Sequence, residues 1–159
     1  KRTSMPSFEL QVSSPASAAR TFAAITDLSL WNSFKGAGPV PGIVRATLAS
    51  GTVGLGGKVR VENTDGSVHH ETFTEFVPDK KIHLSMELRP PVSYIMGAME
   101  ETLELEGQGA TCTLRRRFEV RARFFFTWPM AYVLCTVFLK RACEQHNAEV
   151  MRRLAAQSG

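Results

Sequence analysis

The chain has 159 residues, the usual size of one domain with one hydrophobic core, and we expect a single domain over residues 1–159. Its hydrophobic content of 43% and charged content of 21% are ordinary for a globular protein and exclude a disordered chain. The net charge of +4 is small and the longest basic run has three residues, so no nucleic-acid partner is predicted.

The first segments alternate between strand and helix signals. Residues 7–13 place apolar side chains at every second position, which predicts a strand. Ser14 followed by Pro15 is typical of a helix start, with Ser14 as N-cap and the helix ending near Thr26. Asp27 is a candidate N-cap for a second short helix. A further strand is predicted over residues 43–49.

Two turns set the predicted register of the central strands. Asp65-Gly66 indicates a two-residue hairpin turn, which pairs Val61 with His70. The turn at 77–80 pairs Phe76 with Ile82, and counting onward extends the pairing along both strands. The register therefore predicts an inward face made of His70, Thr72, Thr74, Ile82, Leu84, Met86 and Leu88, with His69 pointing outward.

A last hairpin carries one acid and one base on its apolar face. A turn at 107–110 places Glu101 opposite Arg116 and Met99 opposite Phe118. Because an unpaired buried charge is costly, the Glu101–Arg116 pair either satisfies itself at a wet end of the interior or orients a ligand. The other face of this hairpin carries glutamates and arginines in cross-strand pairs, which is typical of a solvated surface.

One long helix is predicted from about Pro129 to Ala155. Its apolar stripe consists of Ala131, Cys135, Phe138, Leu139, Ala142, His146 and Val150. Tyr132 adds a polar group near this face. Residues 124–139 carry no charge, yet they are shorter than a membrane-spanning helix and contain Pro129, so a buried helix start or a membrane-surface contact is expected there.

The cysteines show no disulfide or metal pattern. Cys135 and Cys143 are eight residues apart on one helix, about 12 Å, which is too far to bridge. No CxxC or HxxxH spacing is present, so neither a metal nor a cofactor is predicted. Isolated thiols and the lack of a signal-peptide pattern predict a reducing compartment, the cytoplasm.

The order of these segments resembles the Bet v 1-like or START-like superfamily, which includes polyketide cyclases and lipid-transfer domains. The resemblance rests on 8–12 with Ser14-Pro15, Thr26-Asp27-Leu28 before Trp31, the turn at 54–57, residues 74–78 before Ile82, and the last hairpin and helix. It implies an α+β helix-grip fold. A curved antiparallel sheet of about six or seven strands would wrap a long C-terminal helix, with two short helices after the first strand and a hydrophobic cavity inside.

The leading functional prediction is a binder of a small hydrophobic ligand, such as a lipid, a polyketide or an aromatic metabolite. The candidate ligand-binding residues are His70, Thr72, Met86, Leu88, Tyr94, Met99, Glu101, Arg116, Phe118, Tyr132, Cys135, Phe138, Leu139, Ala142 and His146. Tyr94 belongs to an apolar loop that either acts as a lid or simply packs. One alternative is a cyclase- or dehydratase-like enzyme with His70 or His146 as proton shuttle and Arg116 stabilising an enolate. A second alternative is a module that contacts a membrane or a protein. The oligomeric state is open.

Overall fold

The computed structural model describes residues 5–107 and 109–157. Seven strands lie in this part of the chain: β1 (Ser7–Ser14), β2 (Ile43–Ser50), β3 (Lys58–Asn63), β4 (Val68–Val77), β5 (Lys81–Glu87), β6 (Met96–Glu106) and β7 (Cys112–Ala122). They form one antiparallel sheet in the order β1-β7-β6-β5-β4-β3-β2. Neighbours in sequence are mostly neighbours in space, and the first strand closes against the last.

The helices lie on the inner face of this curved sheet. The helical segments are α1 (Ala18–Thr26), short 3-10 turns at Leu28–Ser33, Val92–Tyr94 and Phe125–Thr127, α2 (Trp128–Val133), a π-helical segment (Leu134–Leu139) and α3 (Lys140–Ala156). The α2, π and α3 segments run on without a break and are called the C-terminal helix below. The helix-grip fold, including two short helices after the first strand, is confirmed.

The start of α1 differs from the prediction. Ser17, not Ser14, is the N-cap, and its hydroxyl accepts from the backbone N–H of Arg20. Ser14 remains in β1, where its buried hydroxyl lies 2.7 Å from that of Thr21. The prediction for Asp27 is confirmed, because its carboxylate accepts from the backbone N–H of Ser29.

The predicted register of β3 and β4 is wrong by one residue. The backbone N–H of Asn63 donates to the carbonyl of Ser67, so only three residues, 64–66, separate this pair, and Gly66 has a φ of 85°. Val61 therefore pairs with His69 rather than His70. A three-residue hairpin loop with glycine in this conformation competes with the predicted two-residue turn. Since side chains alternate along a strand, a slip of one residue reverses the faces of β4.

A β-bulge in β4 reconciles the reversed faces of its first half with the correctly predicted pairing at its end. Phe76 does pair with Ile82, as predicted, but the register shifts between Phe73 and Glu75. Thr72 therefore pairs with Ser85 and His70 with Glu87, not with Met86 and Leu88. Before the bulge, β4 directs His69, Glu71 and Phe73 inward, and after it Phe76 packs against the core.

The β6–β7 register is offset from the prediction by two residues. Glu101 lies opposite Phe118, and Leu103 lies opposite Arg116. An even offset leaves every side chain on its predicted face, so Glu101 and Arg116 still point inward. The predicted turn at 107–110 includes Gln108, which lies outside the described residues.

The interior contains two apolar clusters separated by polar residues. One cluster packs Phe73, Leu84, Leu103 and Leu114 with the end of α3, and the other packs Met96, Met99, Phe118 and Val120 with α2 and the π segment. Along β6 the order is Met99, Glu101, Leu103; along β7 it is Leu114, Arg116, Phe118. The acid and the base therefore mark the boundary between the clusters.

Candidate ligand-binding site

A cavity of about 800 Å³ lies between the sheet, the short N-terminal helices and the C-terminal helix. This volume falls within the usual range for small-molecule sites. Its walls are largely apolar and include Ile25, Leu30, Trp31, Phe34, Val40, Ile43, Ile82, Leu84, Met86, Leu88, Val92, Ile95, Met96, Met99, Leu103, Leu114, Phe118, Met130, Val133, Leu134, Leu139 and Val150.

Eight of the candidate residues line this cavity. They are Met86, Leu88, Met99, Glu101, Arg116, Phe118, Leu139 and His146. Seven of them lie on strands or on the C-terminal helix, and Leu88 directly follows β5.

Two strand residues lie on the wrong face for a cavity role. His70 and Thr72 project from the outer surface of the sheet, next to Arg60 and Lys58 on β3. The Nδ1 atom of His70 is buried without a hydrogen-bond partner among the described residues, and burial lowers the pKa of this histidine. The prediction that His70 and Thr72 contact a cavity ligand is therefore corrected.

Five further candidates do not line the cavity. Cys135 and Ala142 are buried in the packing between helix and sheet. Phe138 covers Gly38, where an added Cβ would lie 2.4 Å from its ring, and Tyr132 stacks on Trp128 at the surface. Tyr94 is largely exposed, although its neighbours Val92 and Ile95 do reach the cavity.

Arg116 lies at the centre of the polar residues that separate the two apolar clusters. Its Nε donates to Glu101 Oε2 over 2.6 Å, and its Nη1 donates to His146 Nδ1 at 2.8 Å and to Asn147 Oδ1 at 3.1 Å. Glu101 and Arg116 are 5% and 6% exposed, so this charged pair is almost fully desolvated. Arg116 also lies 5.6 Å above the Phe118 ring, a distance suited to a cation–π contact.

The hydrogen bonds of His146 define its protonation state. Because a guanidinium can only donate, His146 Nδ1 must accept, and the ring proton is on Nε2, which lies 3.0 Å from Ser33 Oγ. Ser33 in turn donates to the carbonyl of Leu30. Burial, followed by the positive charge of Arg116, lowers the pKa of His146 to about 3. Both ring nitrogens are therefore engaged in a neutral imidazole.

A second polar group extends from β4. Asn63 Nδ2 donates to Ser67 Oγ and lies 2.9 Å from His69 Nδ1, while His69 Nε2 lies 2.8 Å from Glu71 Oε2. Ser67 itself donates to Asp65. This chain of donors assigns Nδ1 of His69 as the acceptor from Asn63 and Nε2–H as the donor to Glu71.

Together these side chains form a polar belt, defined as His69, Glu71, Glu101, Arg116, His146 and Asn147, across a largely apolar cavity. Burial raises the pKa of Glu101; Arg116 opposes this shift and the negative charge of Glu71 adds to it. Among the described residues, one oxygen of each carboxylate and the Nη2 group of Arg116 have no protein partner. The belt thus presents spare acceptors and a spare donor to the cavity.

Sequence reasoning missed half of this belt. His69 and Glu71 were assigned to the outer face by the one-residue register error. Asn147 was not among the candidate residues, but it is buried because the π segment holds more residues per turn and rotates the later helix by about one position. The spacing His69-x-Glu71-x-Phe73 was the available signal, given the correct loop.

Exposed lining residues of the cavity belong to the β3–β4 loop, the β5–β6 connection and the start of the C-terminal helix. Asp65, Arg89 and Pro91 line it there together with Met130. Thr127 Oγ1 donates to the carbonyl of Ile95 at 3.0 Å, which ties the β5–β6 connection to the helix start. This exposed region of the cavity wall is called the mouth below.

Within 5–107 and 109–157, no three His, Cys, Asp or Glu side chains are grouped as metal ligands would be. None of the helices in the same residues is long and apolar enough to cross a membrane. The three cysteines are free thiols, and burial raises the pKa of Cys135 and of Cys143 to about 12.

This fold and cavity define a protein of the Bet v 1-like and START class. Residues 5–158 match the family described as polyketide cyclase / dehydrase and lipid transport, and the chain belongs to this family. No curated protein sequence matches it.

Solved structures of this class superpose over nearly the whole chain. Ara h 8.0201 does so with a TM-score of 0.69 at 13% identity, covering 96% of this chain and 99% of its own. A START superfamily protein from Mycobacterium smegmatis has a TM-score of 0.67 at 12% identity, with 96% and 99% covered. Truncated norcoclaurine synthase from Thalictrum flavum has a TM-score of 0.67 at 11% identity, with 97% of each chain covered. At these identities the likeness shows the fold alone.

Proposed function

We propose that the protein binds a small hydrophobic ligand in the cavity between its sheet and its C-terminal helix. The observation that carries this proposal is the cavity itself, about 800 Å³ of largely apolar space crossed by one polar belt. An apolar ligand that leaves water for such a site gains roughly 25 cal/mol per Å² of buried apolar surface. The belt would then fix its orientation.

Binding is favoured over catalysis by the state of the candidate histidines. His70 lies on the outer face, and both nitrogens of His146 are engaged, so neither is placed to shuttle a proton in the cavity. Arg116 remains available to a ligand oxygen through Nη2. The loop containing Tyr94 is proposed as a cover for the mouth, because Val92 and Ile95 form part of the cavity wall.

A titration with the neutral fluorescent probe N-phenyl-1-naphthylamine tests the proposal. We expect saturable one-to-one binding that Met86→Trp abolishes, because Met86 lines the cavity and a larger side chain fills it. The matched control is Ser85→Trp, which adds the same ring to the other face of β5. Absence of saturable binding, or equal loss in both variants, would contradict the proposal.

A second candidate function is contact with a membrane surface. Phe124, Phe125 and Phe126 are exposed directly before the mouth residues of α2, and Phe125 is 87% exposed. Arg121 and Arg123 directly precede them in the chain, and Met130 and Val133 add exposed apolar surface. Aromatic side chains beside cations suit an interface with anionic lipid. We propose that this rim docks the mouth on a bilayer.

Vesicle sedimentation tests the membrane contact. We expect binding to vesicles that contain phosphatidylserine, weaker binding to pure phosphatidylcholine, and a loss of about tenfold on Phe125→Ser. Leu55→Ser is the control, since Leu55 is 74% exposed on the β2–β3 connection, far along the sheet from the mouth. Equal loss in both variants, or no binding at low salt, would reject this function.

A further inference from the structure

The charges of the polar belt do not balance. Glu71 and Glu101 are carboxylates, whereas Arg116 is the belt's cation. Nδ1 of His146 accepts from Arg116, and Nδ1 of His69 accepts from Asn63. The belt therefore places two carboxylates beside one guanidinium, while the other charged side chains that line the cavity, Asp65 and Arg89, lie at the mouth.

An excess negative charge in apolar surroundings is expensive. Both carboxylates are almost fully removed from solvent, with Glu71 4% and Glu101 5% exposed, and they are near enough to repel each other. Both carboxylates line the cavity, and among the described residues each has one oxygen that accepts no hydrogen bond from the protein. A buried carboxylate in this state either takes up a proton or meets a cation.

The apolar walls restrict what that cation can be. A hydrated metal ion would leave the apolar surface above and below the belt unfilled, whereas an organic ammonium brings its own apolar body. An anionic head would meet the Nη2 donors of Arg116, yet it would also face two carboxylates. An amine is therefore complementary to the acidic side of the belt. A ligand oxygen close to that amine would accept a hydrogen bond from Arg116.

We infer that the ligand of this cavity is an apolar molecule with a cationic amine, held by the acidic side of the polar belt formed by Glu71 and Glu101. This inference rests on the proposed binding function and adds the chemical class of the ligand. Charge-assisted hydrogen bonds to a desolvated carboxylate contribute about 1.5–3 kcal/mol, or roughly tenfold to a hundredfold in affinity.

Competition between chain-matched ligands tests the inference. Decylamine, decanol and decanoate are each titrated against bound N-phenyl-1-naphthylamine near neutral pH, where the amine is charged. We expect decylamine to compete at least about tenfold better than decanol, and decanoate to compete worst. Decanoate as the best competitor, or an amine no better than the alcohol, would overturn the inference.

Two variants locate the effect on the belt. Glu71→Gln keeps an acceptor for His69 and removes one charge, so the preference for the amine over the alcohol should fall about tenfold. Glu75→Gln makes the same change on the outer face of β4, where Glu75 pairs with Lys81, and should leave the preference intact. An unchanged preference in Glu71→Gln would refute the role of the belt.

The outcomes separate the two proposals. If the fluorescent probe itself does not bind, the cavity is not a ligand site and the proposed function fails. If the probe and decanol bind while the amine gains nothing, the cavity binds apolar ligands and only the charge selectivity fails. The rank order in the unmodified protein decides this even if a variant does not fold.

Discussion

Arg116 and Arg117 are adjacent in β7, and each forms an ion pair with a glutamate, but on opposite faces of the sheet. The Arg116 and Glu101 side chains are 7% and 6% exposed, with Nε and Oε2 2.6 Å apart. The Arg117 and Glu119 side chains are 55% and 33% exposed, with a separation of 2.7 Å. The geometry is nearly the same, whereas the solvent around the two pairs is very different.

This comparison shows that burial rather than distance decides what an ion pair does. The outer pair is screened by water, so its separation costs little free energy. The inner pair has no water to replace a lost partner, so it is bound into a network with His146 and Asn147. The inner arginine is therefore held in a fixed position in the cavity wall, whereas the outer one stays in contact with water.

The largest expected effect comes from removing the inner arginine. Arg116→Ala should lower the free energy of unfolding by about 3 kcal/mol or more, because Glu101 is left buried without a partner. Urea denaturation measures this change. The double variant Arg116→Met with Glu101→Leu should recover most of the loss; if it is as unstable as the single variant, packing rather than the unpaired carboxylate explains the cost.

A smaller effect is expected from acid. Since the pKa of His146 is lowered from 6.5 to about 3, this histidine is protonated in the unfolded chain but not in the folded protein between these two pH values. Its contribution to stability is therefore complete above about pH 6.5 and is lost as the pH falls toward 3, by about 1 to 2 kcal/mol at about pH 5. His146→Gln should remove this loss in pH-dependent thermal unfolding. A pH dependence that survives in His146→Gln would show that another group causes it.

The smallest effect belongs to the outer pair. Arg117→Ala should change the free energy of unfolding by less than about 1 kcal/mol and should not alter probe binding. The same denaturation and fluorescence titrations used for Arg116 measure both quantities. A cost comparable to that of Arg116→Ala would remove the distinction between the two faces.

The way register errors propagate explains which site residues the sequence could predict. The error at β6–β7 is two residues, and because side chains alternate, Glu101 and Arg116 kept their inward assignment. The error at β3–β4 is one residue, and it exchanged His69 and Glu71 for His70 and Thr72. The fold class depends on the order of elements and survives both errors.

The remaining errors in the predicted site arise from irregularities in the backbone, which a regular strand or helix periodicity does not include. The three-residue loop ending in Gly66 and the bulge between Phe73 and Glu75 both change the count along β4. The π segment rotates Asn147 onto the inner face of the helix. In each case tertiary packing selects one of several local geometries of similar energy, so hydrophobic periodicity alone does not predict it.

The most direct test of the cavity as a ligand site is NMR of the methionine methyl groups, labelled with ¹³C. Met86, Met96, Met99 and Met130 line the cavity, whereas Met5 and Met151 do not. Titration with N-phenyl-1-naphthylamine, whose aromatic rings shift nearby resonances, should move the four cavity methyls along one saturable curve and leave the other two in place. Shifts confined to Met5, or no shift at any of the four, would contradict the account.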